Sequence, residues 1–299
     1  MSLRLLHPPS LGAPRLVEGP APGGAGASGG AGASGGAGAS GGAGASGPRS
    51  SDSQDDLADL YAHALPSPGR AARVRANLVT TLDGAAAGAD GSSRSISGAT
   101  DLRVLVLLRS LADVVLVGAG TARSEGYGPL RVRASLAARR AALGQAPAPA
   151  LAVVTRSGRL PGNLLAAASG DRRGAAPRVL AVTCAAAGDP ALDRLRSGLG
   201  DDAVVVAGDE HVDLVEAVDE LAHRGLHRVL CEGGPALLRD VVAAGLLDEL
   251  CLTTSPLLVA GDGPRALVGE ALVERLELAS LLLADDGGGT LLGRWTVRR

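Results

Sequence analysis

Short runs of consecutive apolar residues recur along the chain from about residue 70 onward. Runs of this kind are typical of strands that are buried on both faces of a parallel sheet. The runs that predict strands are residues 73–82, 114–117, 151–155, 178–183, 203–207, 228–231 and 248–254.

Between several of these runs, apolar residues recur at helical spacing instead. The segments that predict helices are residues 55–63, 100–111, 211–224 and 235–244. Ser97 or Thr100 is expected to cap the second helix, and Gly225 to end the third. Alternating strands and helices predict an α/β protein with three layers, in which helices cover both faces of a central sheet.

The C-terminal segment has a different pattern. Residues 276–283 and 290–298 are two extended apolar stretches, and the acidic and glycine-rich residues between them are suited to a turn. This pattern predicts an antiparallel hairpin. The sheet is therefore expected to be mixed, although mostly parallel.

The N-terminal region divides into two parts. Residues 1–22 form an arm whose Leu3, Leu5 and Leu6 are able to cover apolar surface, and residues 23–46 are four copies of Gly-Gly-Ala-Gly-Ala-Ser. Such a repeat has no apolar bulk to offset the entropy of ordering it. We expect residues 23–50 to be a flexible linker and residues 51–299 to be the functional domain.

Charge and composition exclude several classes of function. The formal net charge is −2 and no basic stripe is present, which disfavours nucleic acid as a partner. Cys184, Cys231 and Cys251 lie in apolar runs without a Cys-x-x-Cys motif, and the histidines have no metal-ligand spacing. Long apolar spans free of charge are absent, so we expect a cytoplasmic protein with no membrane span, no disulfide and no metal.

Two strands end in glycine-rich segments, Gly118-Ala-Gly-Thr121 and Glu232-Gly-Gly-Pro235. Backbone N–H groups in such segments are suited to binding a nucleotide phosphate. The first segment departs from the dinucleotide fingerprint because Arg123 stands where the third glycine belongs. A tight turn and an ordinary strand-to-helix loop remain the alternatives for the two segments.

Other candidate groups are weaker signals when each is taken alone. Asp83 stands at the predicted end of a strand, where an Asp-Gly turn is the alternative interpretation. Four arginines are candidate phosphate ligands, although each of them, taken alone, is more typical of a solvated surface charge: Arg109, Arg123, Arg131 and Arg133.

Taken together, these motifs are much more specific. The ordered set Thr81-Leu-Asp-Gly84, Ile96-Ser97, Leu107-Leu-Arg109, Val117-Gly-Ala-Gly-Thr121, Glu232-Gly-Gly-Pro235 and Gly245-Leu-Leu-Asp-Glu249 resembles the pyrimidine reductase domain of riboflavin biosynthesis. The resemblance covers residues 74–298 and looks closest to the single-domain actinobacterial type. It implies a dihydrofolate reductase-like fold, a homodimer, and NADPH-dependent reduction of a ribosylamino-pyrimidine 5′-phosphate, such as the 5-amino-uracil compound, to its ribitylamino form.

The resemblance also implies residue roles. The positions that match cofactor contacts are Val79, Ser95, Thr121, Glu125, Thr155, Arg156, Ser157, Gly233, Gly234, Pro235, Ala236 and Leu237. The positions that match substrate contacts are Ser93, Arg109, Leu130, Arg133 and Glu232. The acid that supplies a proton is expected to be Glu125, Glu232 or Asp83, in no fixed order.

The chain departs from the family pattern in three places. Asn77 replaces a lysine of the fused enzymes, Ser95 replaces an aromatic residue, and residues 125–129 form a longer loop in which Tyr127 offers an aromatic surface. Two other hypotheses therefore stay open. One is a reductase of the same fold with another heterocyclic or carbonyl substrate, and the other is a non-catalytic nucleotide-binding module.

Overall fold

The computed structural model describes residues 3–7, 54–169, 178–285 and 287–299. The strands are β1 (Leu3–His7), β2 (Arg73–Thr81), β3 (Val114–Gly118), β4 (Ala150–Val154), β5 (Val179–Thr183), β6 (Val204–Val206), β7 (Arg228–Cys231), β8 (Leu247–Ser255), β9 (Leu276–Ala284) and β10 (Leu291–Val297). The helices are α1 (Gln54–Leu60), α2 (Ala99–Leu111), α3 (Ala119–Ser124), α4 (Ala134–Ala142), α5 (Gly162–Ser169), α6 (Asp189–Leu199), α7 (Leu214–His223) and α8 (Pro235–Ala243).

All the strands of the described residues belong to one sheet, in the order β1-β9-β10-β8-β2-β7-β3-β4-β5-β6. Strands β2 to β8 pair parallel with one another. Strands β8, β10, β9 and β1 pair antiparallel in succession. The predicted mixed, mostly parallel sheet and its C-terminal hairpin are confirmed.

Helices cover both faces of the sheet because the central strands are apolar on both sides. In β3, Leu116 packs into the core on one face, together with Val218 of α7 and Val241 of α8. Val115 of the same strand packs into the core on the opposite face, together with Leu107 of α2. The cleft described below lies at the carboxyl end of these central strands.

Several elements were not predicted. Helices α3, α4, α5 and α6 are absent from the sequence interpretation, and so is strand β1. Leu3 of this strand is fully buried and the strand pairs with β9, whereas Leu6 is exposed. The 23–50 segment, predicted to be a linker, lies outside the described residues.

Two predicted helix starts were wrong. Helix α2 has Gly98 as its N-cap, and Ser97 instead donates its hydroxyl hydrogen bond to Asp101 in the first turn. Helix α7 begins at Leu214, because the Asp213 carboxylate accepts hydrogen bonds from the backbone N–H groups of the first turn. In both places the residue that caps the helix differs from the predicted one: Gly98 for α2 and Asp213 for α7.

The described residues include three buried, free cysteines: Cys184, Cys231 and Cys251. Burial raises the pKa of the Cys231 and Cys251 thiols to about 12, which keeps both neutral. No helix in the described part of the chain is long and apolar enough to cross a membrane.

Candidate active site

A cleft of about 670 Å³ opens beside the carboxyl ends of β2, β7 and β3. Clefts at this edge are the usual ligand sites of open α/β sheets. Side chains from β2, α2, α3 and the loop that follows α3 form its walls. The charged residues of the lining are Arg94, Asp101, Arg109, Glu125, Arg131 and Glu232.

The two glycine-rich segments meet at this edge because β3 and β7 are neighbours in the sheet. Gly118 donates a backbone hydrogen bond of 2.7 Å to the Gly233 carbonyl. Gly118 and Gly234 are the N-caps of α3 and α8, and Pro235 is the first residue of α8, as predicted. A Cβ atom on Gly234 would lie 2.4 Å from Thr121 Oγ1, so a larger residue here would displace the Thr121 side chain.

An ion pair crosses the cleft between α2 and the end of β7. Arg109 donates hydrogen bonds of 2.7 Å from Nε to Glu232 Oε1 and of 2.6 Å from Nη2 to Oε2. Tyr127 adds a third hydrogen bond of 2.5 Å from its hydroxyl to Oε2. The Arg109 guanidinium lies 5.2 Å from the centre of the Tyr127 ring. The three side chains therefore form one unit.

The environment of this unit shifts the pKa of two of its members. Burial lowers the pKa of Arg109, but the hydrogen bonds and negative charge of Glu232 outweigh burial and raise it overall. Burial and the negative charge of Glu232 both raise the pKa of Tyr127 well above its ordinary value. Arg109 is therefore always charged, and the Tyr127 hydroxyl keeps its proton.

Glu125 lies at the rim of the cleft and binds the loop that precedes α2. Its carboxylate accepts hydrogen bonds of 3.0 Å from the Ser93 backbone N–H and 3.1 Å from the Ser92 hydroxyl. Arg94 pairs with it through Nε at 3.4 Å. The group thus ties the 92–94 loop to the end of α3.

The structure brings about half of the predicted site residues into the cleft. Those in the lining are Val79, Ser93, Arg109, Thr121, Glu125, Leu130, Glu232, Gly234 and Pro235. Those outside the lining are Asp83, Ser95, Arg133, Thr155, Arg156, Ser157, Gly233, Ala236 and Leu237.

Asp83 has a different set of neighbours from the one expected of a catalytic acid. It accepts backbone hydrogen bonds of 3.1 Å from Val259 and 2.8 Å from Ala260, and one from the Thr81 hydroxyl. These hydrogen bonds, that of Thr81 first, lower the pKa of Asp83. Asp83 therefore fastens the loop after β8 to the end of β2.

The remaining predicted residues lie along the same sheet edge or near the rim. Ser95 donates a hydrogen bond of 2.7 Å to Asp90 within the loop before α2. Thr155 follows β4 and is buried, and the exposed Arg156 donates from Nε to the Glu210 carbonyl at 3.0 Å. Arg133 is the exposed N-cap of α4. Arg131, two residues earlier, lines the cleft instead.

The sequence interpretation missed one buried carboxyl group in the lining. Asp101 lies in the first turn of α2, where an acidic residue is ordinary because it favours the positive end of the helix dipole. Its side chain also hydrogen-bonds to Thr253 of β8, which is distant in sequence, so no local signal identified this contact. The described residues contain no cluster of three or more His, Cys, Asp or Glu side chains suited to a metal ion.

Sequence comparison matches residues 72–290 to the RibD C-terminal domain family. The chain belongs to this family. A relative from Methanothermobacter thermautotrophicus, named 2,5-diamino-6-ribosylamino-4(3H)-pyrimidinone 5′-phosphate reductase, is 31% identical over 229 residues, which are 74% of this chain and 96% of the relative. A relative of the same name from Archaeoglobus fulgidus is 27% identical over 71% of this chain and 93% of its own length.

A solved structure supports membership of the RibD C-terminal domain family. A pyrimidine reductase-like protein from Corynebacterium diphtheriae is 27% identical and superposes with a TM-score of 0.70. The superposition covers 81% of this chain and 99% of that protein. The RibD resemblance found in the motifs is therefore confirmed over the described domain.

Proposed function

We propose that this chain is an NADPH-dependent reductase that converts a ribosylamino-pyrimidine 5′-phosphate to its ribitylamino form. The main support is a single arrangement. The Arg109–Glu232–Tyr127 unit lies beside the paired glycine-rich segments, within a chain of the RibD C-terminal domain family. The relatives' names supply the substrate class.

The cofactor fits the glycine-rich edge of the cleft. Gly118 and Gly234 are the N-caps of α3 and α8 and have no capping side chain, so backbone N–H groups at both helix starts are suited to an anionic ligand. We assign the phosphates to this edge, and the ribose phosphate that distinguishes NADPH from NADH to Arg156. When bound, the nicotinamide supplies the hydride, which adds to C1′ of the ring-opened, imine form of the sugar.

The substrate phosphate is expected to bind the arginines of the lining. The contacts of Arg109 with Glu232 use Nε and Nη2, and we assign its Nη1 to the phosphate. Arg131 lines the same cleft and replaces Arg133 in our assignment, because Arg133 lies outside the lining. Two arginines suit a phosphate that carries close to two negative charges.

A proton must reach the imine nitrogen as C1′ accepts the hydride. Glu232 pairs with Arg109 as an anion and is only 8% exposed, so we assign this proton to solvent that reaches the cleft. We assign to Glu232 the positioning of Arg109 and of the Tyr127 hydroxyl, which donates to its Oε2 at 2.5 Å. Glu125 is instead bound to the rim loop, and Asp83 to the loop after β8.

We further propose a cytoplasmic homodimer in which residues 1–22 form an arm, residues 23–50 a flexible linker and residues 51–299 the catalytic domain. The outer strands β1 and β6 of the sheet leave two edges at which chains are able to pair. Sedimentation of the full chain at micromolar concentration tests this proposal. A dimer should sediment with twice the mass of one chain.

The activity is tested by following NADPH absorbance with the purified chain and a synthetic substrate. We expect oxidation that requires the phosphorylated pyrimidine and stops when the phosphate is removed. Oxidation that is equally fast without the pyrimidine would exclude the proposed reaction. So would a lack of oxidation with both the 2,5-diamino-pyrimidinone and the 5-amino-uracil forms of the substrate.

A further inference from the structure

Asp101 is a buried carboxyl group in the cleft wall to which the proposed reaction assigns no role. It is 4% exposed and belongs to the lining. Its side chain accepts a hydrogen bond from the Ser97 hydroxyl and another from Thr253. Burial raises its pKa overall, although the hydrogen bonds from Ser97 and Thr253 oppose this rise. A carboxyl group held in this way is a strong acceptor aimed from a fixed position.

The surroundings of Asp101 suit a flat heterocycle. Leu78 and Val79 of β2 and Leu105 of α2, one turn along the helix from Asp101, line the same cleft and offer apolar contact. Pockets of this kind bind a ring by its faces and select it by a few polar groups at its edge.

The spacing along α2 relates Asp101 to the phosphate-binding end. Asp101, Leu105 and Arg109 are four residues apart, lie on one face of α2 and all line the cleft. Eight residues of helix span roughly 12 Å. A ribosylamino-pyrimidine phosphate has its ring at one end and its phosphate at the other. With the phosphate at Arg109, the ring edge therefore points toward Asp101.

We propose that Asp101 selects substrates with a 2-amino-4-oxopyrimidine ring over those with a 2,4-dioxopyrimidine ring, by binding the ring edge. This inference rests on the proposed function. A 2-amino-4-oxopyrimidine presents an amino N–H and a ring N–H side by side, which match the two carboxylate oxygens. The dioxo ring replaces the amino group with a carbonyl oxygen. That oxygen repels the carboxylate, and the dioxo ring makes only one of the two hydrogen bonds to Asp101.

The test compares kcat/KM for two synthetic substrates, the 2,5-diamino-pyrimidinone and the 5-amino-uracil, both as ribosylamino 5′-phosphates. For the wild-type chain we expect the diamino compound to be favoured by about tenfold to a hundredfold, the value of one charge-assisted hydrogen bond. Comparable values for both rings, or a preference for the uracil, would overturn the role of Asp101 and leave the reductase activity intact. Turnover of neither would overturn the proposed function itself.

Asp101→Asn sharpens the test. The amide presents one donor and one acceptor, which suit the carbonyl and N–H edge of the uracil, so the preference should fall by a similar factor and the uracil value should rise. Asp219→Asn on the exposed face of α7 is the matched control and should keep the wild-type ratio. An unchanged ratio in Asp101→Asn would contradict the proposal.

A second variant covers the case in which Asp101→Asn does not fold. Thr253→Val keeps the carboxylate and the shape of the side chain but removes one hydroxyl that positions Asp101. We expect a smaller loss, about threefold to tenfold, in the preference for the diamino ring, with little change in kcat for that substrate. A uniform loss for both substrates, with the ratio unchanged, would contradict the proposal that Asp101 selects the ring.

Discussion

Arg109 Nε and Glu232 Oε1 lie 2.7 Å apart, although the two residues are 123 positions apart in the sequence. The contact joins the last turn of α2 to the carboxyl end of β7, and it occurs where the two glycine-rich segments meet. One carboxylate thereby fixes an arginine and, through Oε2, the Tyr127 hydroxyl. The pair explains how residues of separate elements are held in one cleft.

Glu232→Gln should reduce kcat/KM by about a hundredfold or more, because the neutral amide holds both Arg109 and the Tyr127 hydroxyl less firmly than the carboxylate does. Steady-state kinetics with saturating NADPH measures the loss. Tyr127→Phe keeps the ring over Arg109 and removes only the hydroxyl, so about a tenfold loss is expected. Equal effects of both variants, or no effect of Glu232→Gln, would contradict the role given to Glu232.

Arg131→Ala should raise KM for the phosphorylated substrate by about tenfold and change kcat little, because a charge-assisted contact to the phosphate is removed. Arg133→Ala is the matched control, since Arg133 lies two residues away but outside the cleft lining. If the two variants exchanged their expected behaviour, the phosphate would have to be assigned to Arg133, as the sequence resemblance implies.

Gly234→Ala should weaken NADPH binding by at least about tenfold, because its Cβ atom would collide with Thr121 Oγ1 and displace the glycine-rich edge. Gly120→Ala is a suitable control, because a Cβ atom there meets no heavy atom within 4 Å. Fluorescence titration with NADPH gives both dissociation constants. Normal affinity in a folded Gly234→Ala chain would show that the cofactor binds elsewhere.

Arg156→Ala should raise the dissociation constant of NADPH by about tenfold and leave that of NADH unchanged. Only NADPH has the additional ribose phosphate that a guanidinium is able to bind. Titrating Arg156→Ala with both cofactors measures both dissociation constants, and the value for NADH serves as the control for the value for NADPH. Equal weakening for both cofactors would instead point to disruption of the loop that Arg156 holds through the Glu210 carbonyl.

Much of the fold was predictable because its signals are local. The central strands are continuous apolar runs, and β3 is buried along nearly its whole length.

Helix α4 is an element that the sequence pattern did not predict. It buries only Leu136 and Arg140, and the Arg140 guanidinium donates to the Ser110 and Ala112 carbonyls at 2.9 and 2.7 Å. A buried arginine gives no apolar periodicity, so the pattern did not predict a helix.

The site was less predictable for a related reason. The motifs pointed to Arg109, Glu232 and the glycine-rich segments, but gave no sign that Arg109 and Glu232 pair with each other. The burial of Asp101 was also hidden, because its partner Thr253 comes from β8. Contacts between distant elements depend on the sheet order, which a single sequence does not specify.

The most direct test of the central claim is transfer of deuterium from NADPH labelled on the reactive face of nicotinamide C4. The full chain is incubated with the labelled cofactor and the ribosylamino-pyrimidine 5′-phosphate, and the product is examined by mass spectrometry and NMR. Hydride transfer predicts one deuterium, located at C1′ of a ribitylamino product. Oxidation of the cofactor without deuterium at C1′, or recovery of unchanged substrate, would contradict the assignment of this cleft as a pyrimidine reductase site.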